Sequence, residues 1–251
     1  MSSLTALLAA TIGYLVGSIS FARLVGRIVA PQEDLTKTEI PIPDSNEKVD
    51  MGAVSATTVS MHLGSKYGFL TVVLDMLKVA LPTLVFRYLY AGEPYFLIVA
   101  AMGMAGHIWP VYHHFKGGRG LSAMYGGMFA IDWIGVFATS LLGAFLGMFV
   151  FRDVLVAYMG GLWLIIPWLW FRTHDLWHVI YAVVANVFFL LSIIPELKQY
   201  IHFRRERKDI DLSVTMQYTA MGRGMYKMAK RFGLFKDKGK SNDDNKLSAV
   251  R

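Results

Sequence analysis

The chain has 251 residues, of which 55% are hydrophobic, 14% aromatic and only 17% charged, with a mean hydropathy of +0.43. A soluble fold of this length would lack the polar surface to cover itself, so the composition indicates an integral membrane protein. Cysteine is absent, which excludes disulfides, a thiolate nucleophile and a cysteine metal site, and much of the formal net charge of +7 follows Pro195, where it suits an anionic leaflet rather than nucleic acid.

Leu4 to Val29 is the first apolar run, with Arg23 and Arg27 towards its far end. A secretory signal carries its positive charge before the apolar core, and Met1-Ser2-Ser3 has none. The run is therefore expected to be a retained span with its N-terminus outside and its arginines in the cytoplasm. Gly13 and Gly17 make a small-xxx-small step for close helix packing. Residues 30–50 form a polar loop with Pro31, Pro41 and Pro43. The segment 51–64 is small and hydroxyl-rich but too short to cross, since ~20 residues are needed. It reads as an amphipathic or re-entrant helix at the cytoplasmic face. Tyr67 to Tyr90 is the second span, and places Asp75 and Lys78 on one helix face. Such groups either neutralise each other structurally or face a water-filled site.

Pro94 to Phe115 is the third span. From Leu121 to Phe151 the chain is almost wholly apolar, interrupted at Asp132-Trp133. As one span, this run gives six crossings and a basic tail outside. As a short segment to Ile131 and a second from Ile134, it gives seven, with Arg152 and the tail inside and Arg172 outside. The positive-inside rule favours seven. Val154 to Phe171 and Leu176 to Ile194 complete the set. Trp163, Trp168, Trp170 and Trp177 read as an interfacial belt, and Asn186 as a helix–helix hydrogen bond. His174 and His178 are spaced i, i+4, but no further ligand sits at a recognisable spacing, so no metal site is expected. A basic juxtamembrane stretch runs to Lys208, and Ser241 to Arg251 has a disordered composition. The expected architecture is an all-α membrane protein. It is a polytopic bundle of about seven transmembrane helices over residues 1–200, with the C-terminus cytoplasmic in a basic, partly disordered tail, 201–251.

One stretch carries chemistry: Gly106-His107-Ile108-Trp109-Pro110, followed by Lys116-Gly117-Gly118-Arg119-Gly120. Glycines allow successive N–H groups to turn inward as an anion nest, and Lys116 and Arg119 add formal charge. The plainer reading is a charged turn with helix-breaking glycines. The upstream histidine adds a titratable ring, and the proline bends the approach.

These residues resemble the PlsY family of acyl-phosphate:glycerol-3-phosphate acyltransferases, from about Gly13 to about Lys208. Gly17 to Ala22 is similar to the family's opening helix, and Leu74-Asp75-Met76-Leu77-Lys78 to its Leu-Asp-x-x-Lys span. The strongest match is Gly106 to Gly120, where the family pattern ends Phe-Lys-Gly-Gly-Lys-Gly and only Arg119 departs. The resemblance implies a seven-helix bundle of the bacterial inner-membrane type, with a cytoplasmic site. It implies acyl transfer from acyl phosphate to glycerol 3-phosphate, giving lysophosphatidate and phosphate in phospholipid synthesis, without metal or cofactor. Other motifs depart. Anchored on Ala56-Thr57-Thr58, the family's serine falls on Met51, its asparagines on Ala53 and Thr58, and its arginine on Met61. His202 matches a His-x-x-Asn pair whose asparagine falls on Arg205.

Because acyl phosphates are already activated, the protein must hold two anions, orient a hydroxyl and neutralise the leaving phosphate. Arg119, His107 and His202 are the candidate catalytic residues, the histidines for positioning or proton transfer. Lys116, Gly117, Gly118 and Gly120 are the candidate phosphate binders. The alternative is a non-catalytic or acceptor-altered relative that binds acyl phosphate or lipid. A transporter would also place charges such as Asp75 and Lys78 inside the membrane, but the paired discontinuous helices it needs are not found.

Overall fold

The computed structural model describes residues 2–41, 48–50, 53–151 and 154–206. Helix α1 (Ser3–Gly17) breaks at Ser18–Ser20 and resumes as α2 (Phe21–Val29). Within the following loop the Thr36 hydroxyl and amide both donate to Asp34 Oδ1, at 2.6 and 3.0 Å. These bonds, the hydroxyl's first, hold that carboxyl below the usual carboxylate range. A short antiparallel hairpin, β1 (Glu39–Pro41) with β2 (Lys48–Asp50), follows, an addition to the all-helical expectation. Helix α3 (Ala56–Leu63) starts where the Ser55 N–H donates to the Thr58 hydroxyl at 3.3 Å. It is the short non-crossing helix expected there, and it packs on α2 and α4 (Ser65–Leu89).

Helix α5 (Tyr95–Ile108) runs parallel to α1. A side chain at Gly13 or Gly17 would strike the backbone of α5, so these two glycines permit the approach as their spacing implied, and Gly106 meets α1 in the same way. After a 3-10 turn, Val111–His113, comes α6 (Leu121–Phe145), which is not straight. Asp132 is extended, with φ −150° and ψ 93°, and the Ser140 hydroxyl donates to the Tyr125 hydroxyl at 3.2 Å. Fifteen positions on a straight helix would lie about 22 Å apart, so the chain folds back at Asp132. Arg87 closes the first half by donating to the carbonyls of Ala130 and Ile131, at 2.6 and 2.8 Å. Asp132 accepts from the Gly135 amide and from Trp168 Nε1 at 2.9 Å, and pairs with Arg172 at 3.2 Å.

The second half of α6, extended by a π-helical turn at Leu146–Phe151, packs antiparallel on α7 (Val154–Thr173). Gly143 lies against Gly161 and Gly147 against Ala157. Helix α8 (Leu176–Glu206) closes the bundle, and Asn186 donates to Leu162 O of α7 at 3.1 Å, the expected interhelical bond. Five helical segments among the described residues are long and apolar enough to cross a membrane. With the 20 residues of α7, and with α6 counted as two passes, the bundle has seven. The core lies at the α4–α5–α6–α7–α8 junction, where Val79, Ala100, Met104, Met124, Met128 and Leu162 are fully enclosed. Met51, the side chains of His202 and Arg205, and residues 207–251 of the tail lie outside the described residues.

Candidate active site

The loop from Trp109 to Gly120 leaves α5, makes a wide turn and returns to it. His114 and Phe115 take the left-handed conformation at φ 52° and 60°, unusual for non-glycine residues. The returning strand is tied back at its base. Gly117 N–H donates to Ile108 O and Gly118 N–H to His107 O, both at 3.1 Å. These bonds satisfy carbonyls that the last turn of α5 would leave open. The expected nest of inward amides is therefore corrected: two of its three glycine N–H groups cap a helix instead. Both glycines are there for room. A methyl at Gly117 would overlap the backbone of α5, and one at Gly118 would overlap His107 Nε2. Gly120, at φ 85°, is the glycine that the backbone conformation itself requires.

Three further bonds fix the loop. Tyr14 OH donates to Trp109 O at 2.7 Å, Arg23 Nη2 to Lys116 O at 2.8 Å, and Ser192 Oγ to Arg119 O at 2.9 Å. The loop is thus moored to α1, α2 and α8. Lys116 is exposed and does not line the adjoining cavity.

That cavity, about 500 Å3, opens between α3, α4 and the first half of α6. Its mouth carries Arg119, His107, Gly120 and the hydroxyls of Ser55, Thr57, Ser60 and Ser122. Phe69, Val72, Met76, Leu121 and Tyr125 form its apolar walls. Among the described lining residues, Arg119 is the one cationic side chain. The first turn of α6 begins at this mouth. Its first intrahelical bond is Met124 N–H to Gly120 O at 2.8 Å, so the amides of Leu121, Ser122 and Ala123 have no acceptor within the helix. Helix N-terminal amides beside a guanidinium are the arrangement that favours an anion. The sequence reading centred its phosphate binders on Lys116, Gly117, Gly118 and Gly120, and the start of α6 follows directly behind them.

His107, 8% exposed, reaches the cavity from α5 and packs below Gly118. Its Nδ1 lies 3.6 Å from Asp75 Oδ1, which is 2.8 Å from Lys78 Nζ. The structure brings His107, Arg119 and Gly120 to one mouth, leaves Lys116 outside it, and does not describe the side chain of His202.

Fold and site together define a polytopic helical membrane protein with a largely apolar cavity whose lining includes Arg119 and the start of α6. The family model described as glycerol-3-phosphate acyltransferase matches residues 7–202, and the chain belongs to that family. A glycerol-3-phosphate acyltransferase of Anaeromyxobacter sp. (strain K) is 38% identical over 123 residues, 47% of this chain and 55% of that protein. One of Aquifex aeolicus (strain VF5) is 30% identical over 158 residues, 55% of this chain and 76% of that protein. The match thus spans about half the length of the Anaeromyxobacter relative. A crystal structure of PlsY, an integral membrane glycerol 3-phosphate acyltransferase in its glycerol 3-phosphate form, superposes with a TM-score of 0.63 at 25% identity. That superposition covers 79% of this chain and 93% of PlsY.

Proposed function

We propose that the protein transfers a fatty acyl group from acyl phosphate to glycerol 3-phosphate, releasing lysophosphatidate and phosphate. The observation that carries this reading is the cavity, with an anion-binding rim above apolar walls that suit a phosphorylated head and an acyl chain. Arg119 and the first-turn amides of α6 hold the phosphoryl group and neutralise charge as it leaves. The acceptor's 1-hydroxyl oxygen attacks the acyl carbon, the acyl carbon–oxygen bond to phosphate breaks, and phosphate departs with the electron pair. The hydroxyl proton passes to His107 or to the leaving phosphate. The name of the Aquifex relative and the glycerol 3-phosphate form of PlsY support the choice of acceptor.

The site faces the cytoplasm in this reading, with the N-terminus outside. Arg23, Arg27 and Lys116 gather at its end of the bundle, as the positive-inside rule prefers. A second reading, an altered acceptor, draws on Met61 and Thr58, which stand where the family pattern has arginine and asparagine. A missing charge-assisted bond worth roughly 1.5–3 kcal/mol lowers rate by ~10–100-fold without abolishing it. The test is purified protein with acyl phosphate and a panel of hydroxyl acceptors, read by product mass. Lysophosphatidate with glycerol 3-phosphate supports the reading. Product with a phosphate-free polyol alone transfers the assignment to the second, and no product with any acceptor removes both.

A further inference from the structure

Three buried groups from two helices meet behind the site. Asp75 and Lys78 stand one turn apart on α4, at 1% and 6% exposure, and His107 comes from α5. Lys78 Nζ pairs with Asp75 at 2.8 Å, donates to Ile19 O at 2.7 Å, and sits 5.9 Å from the centre of the Phe21 ring. Ile19 O is free for this because α1 and α2 are interrupted there. The α4 pair is therefore neutral in sum and anchored to the break. His107 Nδ1 is fully buried without a hydrogen bond, and the Asp75 carboxylate at 3.6 Å is the acidic group facing it. A buried ring nitrogen left in that state needs an explanation. The opposite nitrogen, Nε2, lies under Gly118, and the residue lines the 500 Å3 cavity. Behind the ring, a second cavity of about 10 Å3 is bounded by Asp75, Lys78, Ser18 and Gly118.

We infer that Asp75, balanced by Lys78, is the positioning residue for His107: its carboxylate takes the Nδ1–H and leaves Nε2 a bare acceptor beneath Gly118. A neutral imidazole has one donor and one acceptor nitrogen, and the partner at one fixes the state of the other. Closing 3.6 Å to hydrogen-bond distance needs about half an ångström of movement, and such contacts tighten when substrate fills a site. Lys78 makes the arrangement tolerable in the membrane, because a carboxylate alone at this depth would be an uncompensated buried charge. With Nε2 bare, His107 is the group that accepts the acceptor hydroxyl's proton as the new ester bond forms, then passes it to the departing phosphate.

The kinetic half of this inference rests on the acyltransferase reading; the tautomer half does not. The test uses the full chain in nanodiscs labelled with 15N-histidine, the His107 signals being assigned by their loss in His107→Gln. Asp75→Leu with Lys78→Met removes both charges together, so that neither is orphaned. In the parent protein the expected spectrum has a protonated Nδ1 and a bare Nε2, and in the double variant that bias disappears. Turnover should fall at least ~10-fold in kcat with KM for both substrates within ~2-fold, the signature of an interaction made in the transition state. A parent His107 protonated on Nε2, or a folded double variant with unchanged kcat, overturns the inference. If the parent protein has no turnover, the functional reading fails, and the spectra alone decide the positioning role.

Discussion

At the scale of single residues, what Gly118 lacks matters more than what its backbone does. Its missing side chain is the space in which the His107 ring lies. Gly118→Ala forces either the loop or the imidazole to move, and overpacking of this kind costs about 1–3 kcal/mol. The expected outcome is a turnover at least ~10-fold lower, with the protein still monodisperse by size exclusion in detergent. Unchanged turnover would mean that His107's seat is not part of the chemistry. The motif itself was readable in the sequence, but the division of labour within it was not. A glycine chosen for room and a glycine chosen for a left-handed φ are the same letter. The backbone conformation, left-handed at Gly120 and not at Gly118, tells the two apart. The link from Asp75 to His107 was hidden for a related reason: helix spacing pairs Asp75 with Lys78, whereas His107 arrives from another helix.

At the scale of elements, the fold-back in α6 decides the topology. An Asp-Trp pair in an otherwise apolar run of that length was a sufficient signal, since a carboxylate there needs partners. The structure supplies them as Trp168 and Arg172, and Arg87 closes the preceding half-helix. One member of the tryptophan belt therefore has a second duty that composition does not reveal, while Trp163, Trp170 and Trp177 remain about half exposed. Asp132→Ala removes a helix N-cap and leaves Trp168 without its acceptor. It should destabilise the protein by about 1–2 kcal/mol from the cap alone, read as a lower thermal unfolding midpoint in detergent. Arg87→Met should act in the same direction, because two carbonyls lose a charged donor. A midpoint unchanged in both variants would show that the fold-back is held by packing alone. The β1–β2 hairpin was missed because prolines and charges in 30–50 read as loop; Pro41 is tolerated in a two-stranded ribbon, which consists of edges.

At the scale of the whole molecule, seven passes place Lys116 and Asp175 at opposite ends of the bundle. The chain has no cysteine, so single-cysteine variants need no background substitutions. In intact cells, a membrane-impermeant maleimide is expected to label Asp175→Cys and to spare Lys116→Cys until the membrane is opened. Labelling of both from the same side would contradict the topology, and the reverse pattern would contradict the cytoplasmic placement of the site. The basic juxtamembrane stretch after Pro195 gives the same orientation by charge.

Arg119 and the first turn of α6 are proposed to hold the acyl phosphate at the cavity mouth. The most direct measurement is kcat/KM for acyl phosphate, followed by phosphate release, in the parent protein and in Arg119→Ala. Loss of one charge-assisted contact to the phosphoryl group predicts a fall of ~10–100-fold. A variant that keeps the parent value would contradict the account.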